Sequence, residues 1–358
     1  MVRGGGLEPP HHCWRQDLNL VRLPISPPAP SCKQQAPPGT PRLRAKSGQP
    51  RILLRPGDCF CSSDNGPVNT RLRGSLQGVD HYENFPVASW LCPPRLRAPV
   101  AAIYGFARTA DDMADEGDAP AARRQADLSA YRSDLADCVA GRPGSGRWPT
   151  VFNALGLAVR SFDLPPALLA DLLGAFEQDV VKSRDGAGYA SRAELLDYCR
   201  RSANPVGRLL LHLYGIDDAE ALAQSDSVCT ALQLINFWQD VGGDVARGRY
   251  YLPAEDLLAH GMMPDQPASW AGQPGAPRLI ADLCQWARSV MDAGAGIVHR
   301  VPGRAGWELR LVVQGGLRVL DRIEATGFDT FSVRPALRAS DLPPMLWRSV
   351  RMGQSAAR

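Results

Sequence analysis

The sequence of 358 residues predicts an all-α protein. Over several long stretches apolar residues return every three to four positions, which is the pattern of a helix with one buried face. Alternating strand patterns are almost absent, and the segments between the apolar stretches are rich in Gly and Pro, as loops are. Hydrophobic residues make up 44% and charged residues 22% of the chain, so the composition excludes collagen and wholesale disorder.

The N-terminal region, residues 1–78, lacks the helical pattern. Its first 75 residues hold 12 of the 31 prolines, and 11 Lys+Arg against 4 Asp+Glu. Such a segment cannot bury enough apolar surface to offset the entropy that it would lose on ordering. We expect a disordered basic tail, or a stretch upstream of the natural start codon, because the composition changes abruptly near Val79.

The helical pattern covers residues 79–335 and leaves residues 336–358 as a C-terminal tail. Pro165 and Pro166 suit the first turn of a helix. The apolar face of that helix follows at Leu168, Leu169, Leu172, Leu173, Phe176 and Val180.

Three more stretches have the same period. Residues 195–213 predict a helix with a kink at Pro205, and residues 228–235 and 309–323 predict straight helices. No repeat of 20 to 50 residues occurs, so a single helical domain is favoured over a solenoid.

Charge and cysteine content narrow the function. After the first 75 residues the chain holds the remaining 29 Lys+Arg and 33 Asp+Glu, so it lacks the broad basic surface that nucleic-acid binding requires. The nine cysteines form no C-x-x-C pair, which predicts reduced thiols in a cytoplasmic protein. We find neither an apolar run of about 18 residues nor a signal-peptide pattern.

The segment from Arg108 to Glu116 carries the first chemical signal. On a helix, Asp111 and Asp115 lie one turn apart, about 6 Å along the axis, and project from the same face. Two carboxylates placed in this way repel each other unless a cation sits between them, and Mg²⁺ prefers carboxylate and phosphate oxygens. Arg108 can present its planar guanidinium to a phosphate nearby. Acidic pairs on solvated helix faces are also common, so this pair alone leaves both readings open.

A second acidic stripe lies in the segment from residue 236 to residue 244. Asn236, Asp240 and Asp244 fall at i, i+4 and i+8, on one helix face if the helix continues through Gly242 and Gly243. Two such stripes could face each other across a cavity and hold a diphosphate through Mg²⁺ ions.

Four motifs in order resemble the squalene/phytoene synthase family. They are HYENFPVAS from His81, the Arg108–Glu116 segment, YCRRSANPVG from Tyr198, and NFWQDVGGDVARGRYYLP from Asn236. The resemblance runs from about His81 to Phe331 and implies an isoprenoid-synthase helical bundle around a central cavity. The first and third motifs look most like those of the bacterial hydroxysqualene synthases of hopanoid biosynthesis.

The resemblance also implies a reaction. Enzymes of that branch convert presqualene diphosphate and water to hydroxysqualene and diphosphate. In the same route a paralogous synthase makes presqualene diphosphate from two farnesyl diphosphates, and a flavoprotein reductase consumes hydroxysqualene. The long hydrocarbon substrate is compatible with peripheral contact at the inner face of the membrane.

Residue roles follow from the resemblance by position. It assigns two or three Mg²⁺ ions to the four aspartates Asp111, Asp115, Asp240 and Asp244. The substrate-binding candidates are Arg108, Arg249, Asn236, His81 and Trp238, and the catalytic candidates are Tyr198 and Phe85. Gly243 departs from the family pattern, since many members carry Glu there, which puts the strength of the second metal site in question.

Two alternatives remain open. Within the family, a squalene synthase or a phytoene synthase would condense two prenyl diphosphates. Outside catalysis, a lipid-binding or assembly subunit would keep the fold without the reaction. The presence of all four aspartates favours an enzyme. An alternative interpretation is that Phe85, Phe237 and Trp238 are ordinary core residues.

Overall fold

The computed structural model describes residues 92–352, and within them the all-α prediction is confirmed. The eleven α-helices of this part are α1 Pro94–Asp115, α2 Ala121–Val139, α3 Pro149–Phe162, α4 Pro166–Asp185, α5 Arg192–Ser202, α6 Asn204–Tyr214, α7 Ala219–Ala246, α8 Ala254–Ala259, α9 Ala276–Gly294, α10 Gly303–Ala325 and α11 Leu342–Arg351. A single β-bridge pairs Tyr189 with Pro253, and residues 92–352 contain no strand. The predicted tail and the motif that begins at His81 lie outside the described residues.

The helices pack into two hydrophobic cores. The first core unites α1–α4 with α6 through side chains such as Phe106, Tyr131 and Leu172. The second core surrounds α7, whose residues from Val228 to Gln239 are all buried. Most residues of this buried stretch are apolar, and α7 packs against α5, α6, α9 and α10. The second acidic stripe therefore lies at the C-terminal end of the most buried helix.

The chain between α5 and α6 differs from the sequence prediction. We expected one helix with a kink at Pro205, but α5 ends at Ser202 and α6 begins at Asn204. Proline lacks a backbone N–H and fits the first turn of a helix, where that N–H has no intrahelical partner. Pro205 therefore starts a new helix instead of bending an existing one.

Helix α7 continues through both glycines of the second acidic motif. A Cβ atom on Gly242 would lie 2.1 Å from the backbone oxygen of Phe331, so only glycine lets that segment approach. The Gly242 N–H donates to the carbonyl oxygen of Thr330 at 3.2 Å. Helical geometry is thus kept as far as Ala246, and Asp240 and Asp244 stay on one face.

The region assigned to a C-terminal tail contains α11. Met345 and Ser349 on this helix are buried, and α11 packs against α10. The ordered helical body thus extends past residue 335. Among residues 92–352, no helix is both long and apolar enough to cross a membrane.

Candidate active site

Arg249 joins the two acidic motifs. Asp111 and Asp115 lie in the last turns of α1, and Asp240 and Asp244 lie in the last turns of α7. Just beyond α7, the Arg249 N–H donates to the Asp244 carbonyl oxygen at 2.9 Å. Its guanidinium Nη2 lies 2.7 Å from Asp115 Oδ1, and both side chains are nearly buried. Motifs that are 125 residues apart in sequence therefore converge at one place.

A cavity that is partly open to solvent lies beside this junction. Helices α1, α4, α5, α6 and α7 and the segment after α7 all contribute to its wall. The lining residues are Ala107, Asp111, Asp115, Leu172, Phe176, Asp179, Tyr198, Ser202, Val206, Gln233, Arg249 and Tyr251. Carboxylates and Arg249 line the cavity together with apolar and aromatic groups, a combination that suits a ligand with a charged head and a hydrocarbon body.

Tyr198 is held by a carboxylate that the sequence analysis did not select. The Tyr198 hydroxyl donates to Asp179 Oδ2 at 2.7 Å, and both side chains line the cavity. Asp179 comes from α4, whose apolar face also carries Leu172 and Phe176. Asp179 lies seven residues after Leu172 and three after Phe176, so it interrupts an otherwise apolar stripe. That interruption is the sequence signal that could have identified Asp179.

Aromatic rings flank this pair. Phe237 and Tyr251 stack with centroids 3.9 Å apart and planes 10° apart, and both rings lie 6.2 Å from the ring of Tyr198. Tyr251 lines the cavity, although the sequence analysis assigned it no role. Trp238 is instead buried in the second core, with its ring 6.2 Å from that of Trp286. Trp238 is therefore not among the cavity-lining residues.

Burial keeps several of these carboxyl groups from ionising at their usual pH. Burial first, and then the charge of Asp115, raises the pKa of Asp111 well above its ordinary range, although Arg108 acts in the opposite direction. Burial raises the pKa of Asp179 to about 8, against the hydrogen bond from Tyr198. Burial and the charge of Asp240 raise the pKa of Asp244 to about 7. The site therefore favours the protonated form of these carboxyl groups unless a cation compensates their charge.

Two other arginines reach the acidic motifs. Arg108 contacts Asp111 at 3.3 Å, and on the same helix it also pairs with Asp112 at 2.7 Å and Glu116 at 2.8 Å. Arg334, from the segment after α10, forms an ion pair with Asp240. Arg334 lies 94 residues after Asp240, so no spacing signal in the sequence links the two side chains.

The donor atoms of the site fit Mg²⁺ in their chemistry. All four motif side chains offer carboxylate oxygens, the donors that Mg²⁺ prefers. The amide of Asn236, one turn before Asp240, is buried with neither its oxygen nor its nitrogen hydrogen-bonded. Within residues 92–352, however, no three acidic, His or Cys side chains are arranged as a ready metal cage. Guanidinium groups contact two of these carboxylates, Arg249 at Asp115 and Arg334 at Asp240.

The structure brings together part of the predicted set. Asp111, Asp115, Tyr198 and Arg249 line the cavity, and Asp244 is close enough to Asp115 for their charges to interact. Phe85 and His81 lie outside the described residues. Gln233, a buried side chain of α7 that also lines the cavity, was not predicted because it looks like any other residue of a buried helix.

Comparison with known proteins agrees with this geometry. Residues 79–341 match the profile of the squalene/phytoene synthase family. A hydroxysqualene synthase from Sinorhizobium fredii is 31% identical over 287 residues, which cover 80% of this chain and 93% of that protein. A phytoene synthase from Thermus thermophilus is 32% identical, over 72% of this chain and 85% of that protein.

A solved structure shares the fold. The crystal structure of a squalene synthase from Alicyclobacillus acidocaldarius superimposes with a TM-score of 0.62 at 35% sequence identity. The superposition covers 70% of this chain and 90% of that chain. The helical architecture and the order of the motifs are therefore those of a known group of synthases.

Proposed function

Since the chain belongs to the squalene/phytoene synthase family, we propose that it is a Mg²⁺-dependent hydroxysqualene synthase. The reaction converts presqualene diphosphate and water to hydroxysqualene and diphosphate. The observation that carries the proposal is the grouping of three carboxyl groups and Arg249 in the wall of a cavity that aromatic rings also line. The similarity to a hydroxysqualene synthase over 93% of its length supports the choice of branch.

The charged side chains that line the cavity would bind the diphosphate. Loss of diphosphate from a carbon next to a cyclopropane leaves a carbocation and a highly charged anion. Mg²⁺ held by Asp111, Asp115, Asp240 and Asp244 would supply Lewis-acid stabilisation of that anion. Arg249, between the two motifs, adds a fixed positive charge that is already oriented before the bond breaks, which is electrostatic catalysis.

The aromatic part of the cavity would stabilise the carbocation. Tyr198 and Tyr251 line the cavity, and Phe237 stacks on Tyr251 from behind. The faces of such rings attract cations, and burial strengthens the attraction. Exclusion of bulk water by this wall would protect the cation until a single water molecule attacks it.

Tyr198 and Asp179 would manage that water molecule. Because the Tyr198 hydroxyl donates to Asp179, its oxygen lone pairs are available to accept a hydrogen bond from water. When the water oxygen bonds to the carbocation, the excess proton can pass to the Tyr198 oxygen while the phenol proton moves to Asp179. A base with a pKa near neutrality, about 8 for Asp179, suits such a transfer.

A direct assay tests the proposal. The purified full chain is incubated with presqualene diphosphate and Mg²⁺ in ¹⁸O-labelled water without NADPH, and the extracted lipid is analysed by mass spectrometry. We expect ¹⁸O-labelled hydroxysqualene, with no product in a parallel incubation with farnesyl diphosphate. A matched reaction with EDTA should give no turnover.

Other outcomes separate the alternatives. Condensation of farnesyl diphosphate, or squalene that forms only when NADPH is added, would replace the proposal with a squalene or phytoene synthase. Failure to consume either diphosphate, from a folded protein, would favour a non-catalytic lipid-binding or assembly subunit.

A further inference from the structure

Helix α11 is apolar on the face that points away from the protein. Met345 and Ser349, each 1% exposed, face inward. Leu346, Trp347 and Val350 are 52%, 56% and 53% exposed, and at positions i, i+1 and i+4 they share one side of the helix. A surface helix of a soluble domain ordinarily places polar residues on that side.

This helix is anchored firmly, so its outward face is not a loosely attached end. Asp341, fully buried just before α11, accepts hydrogen bonds from Arg318 Nε and Arg322 Nη2, both at 2.7 Å. Near the other end, Arg348 Nη1 donates to Asp321 Oδ2 at 2.9 Å. All three partners lie on α10, which therefore fixes which side of α11 meets solvent.

The charged residues of α11 are all basic. Its ten residues include Arg348 and Arg351 and no Asp or Glu. The guanidinium carbon of Arg351 lies 3.6 Å from the ring centroid of Trp347, so a cation lies directly beside the exposed apolar face. Leu and Trp next to arginine form the composition of helices that lie in the interface of an anionic bilayer. Tryptophan is suited to the headgroup level because its ring is apolar and its N–H is polar.

We propose that the outward face of α11 docks the protein on the surface of an anionic lipid bilayer. Leu346, Trp347 and Val350 would enter the boundary between headgroups and acyl chains, while Arg351 contacts lipid phosphates. The occupant is a bilayer rather than an acidic protein because the face is convex helix surface with three neighbouring apolar side chains and a flanking cation. The inference is independent of the reaction that the cavity catalyses.

Co-sedimentation with vesicles tests the proposal on the full chain. Vesicles of phosphatidylcholine mixed with phosphatidylglycerol are compared with vesicles of phosphatidylcholine alone. We expect binding to the anionic vesicles that weakens with added salt, because the arginine contribution is screened. Trp347→Ser should lower the partition coefficient roughly tenfold, since about half of a Trp side chain no longer enters the interface.

Trp307 provides a matched control. It is another exposed tryptophan with an arginine over its ring, Arg310 at 4.5 Å, but it lies in the first turns of α10. The contacts of α11 fall on the later part of α10, from Gln314 to Arg322. Trp307→Ser should therefore leave vesicle binding unchanged, and thermal melting of both variants checks that they fold.

Four outcomes would overturn the proposal. The first is unchanged vesicle binding by folded Trp347→Ser, and the second is equal loss in both tryptophan variants. The third is a wild-type chain that ignores anionic vesicles but changes from dimer to monomer with Trp347→Ser, which would assign the face to a second copy. If removal of residues 1–78 is needed before vesicles bind, the N-terminal region covers the face, and the proposal fails for the full chain.

Discussion

Two groups of buried aspartates in this protein behave in opposite ways. Asp341 is fully buried, yet Arg318, Arg322 and the Arg338 N–H all donate to its carboxylate. Burial raises the pKa of Asp341, but these donors outweigh burial and hold the pKa below its ordinary value. Around the cavity, Asp111 and Asp244 are also buried and Asp179 is half-buried, and the pKa values of all three are raised.

The difference separates a structural role from a functional one. At Asp341 each charge is matched, so the network can hold α11 on α10 without any ligand. At the cavity, four carboxyl groups gather around Arg249, and the remaining charge needs a proton or an added cation. Strongly perturbed carboxyl groups in a cleft point to a functional site, whereas matched buried pairs are commonly structural.

The largest expected effect is on activity. Asp111→Asn should reduce turnover by about 10²-fold or more, because an amide cannot supply the carboxylate oxygens that would bind Mg²⁺ beside the diphosphate. Asp240→Asn should act in the same way. Helical content and thermal stability should stay near those of the wild type. At Asp111 the reason is that burial already disfavours the ionised form of the carboxyl group that is lost.

Asp112 supplies the control for that substitution. It lies next to Asp111 and also pairs with Arg108, but its side chain is 41% exposed. Asp112→Asn should keep turnover within a factor of about three of the wild type. Equal losses in the two variants would show that Arg108, the shared partner, and not the cavity aspartate, accounts for the effect.

The second prediction concerns stability at the matched network. Asp341→Asn should lower the free energy of unfolding by about 2–3 kcal/mol, because Arg318 and Arg322 lose a buried, doubly hydrogen-bonded partner. Urea unfolding measures this change, and turnover should be affected far less than in Asp111→Asn. Asp197→Asn is the matched control, since its pairs with Arg200 and Arg201 are exposed and worth under about 1 kcal/mol.

The sequence predicts one of these two groups far better than the other. Asp111, Asp115, Asp240 and Asp244 repeat at i and i+4 on amphipathic helices, so local spacing is enough to select them. Asp179 enters the site because α4 packs beside α1 and α5, and the Asp341 network forms because α11 folds back on α10. The partners lie on other helices, so the Asp341 network leaves no mark in local sequence, and Asp179 leaves only an interruption of the apolar stripe of α4.

The fold, too, could be predicted only where the local sequence carries a pattern. Apolar periodicity located α4, α7 and α10, because each buries a continuous face. It did not locate α11, whose most apolar side chains face outward, nor the break between α5 and α6. Apolar periodicity predicts a helix that buries one face against the core of its own domain. It does not predict a helix whose apolar side chains point away from that core.

The third and smallest effect is the pH dependence of stability without Mg²⁺. A carboxyl group with a raised folded-state pKa holds its proton after the unfolded chain has lost it. Stability from Asp179 and Asp244 should therefore fall as the pH rises from about 4 towards 7–8. Asp341, whose pKa is lowered, stabilises above its ordinary pKa of 3.8, and that contribution is lost as the pH falls below it.

Unfolding curves in EDTA across pH 5–8 can separate these contributions. In that window the contribution of Asp341 is constant, so Asp341 does not cause a decline there. Asp179→Asn should flatten part of the decline, because the amide does not titrate, whereas Asp197→Asn should leave the slope unchanged. Added Mg²⁺ should stabilise more at pH 8 than at pH 5, since ionised carboxylates bind the cation and protonated ones do not. If the wild type and Asp179→Asn show the same slope of unfolding free energy against pH, the Asp179 carboxyl group ionises normally. The contrast between the two groups of aspartates would then rest on Asp111 and Asp244 alone.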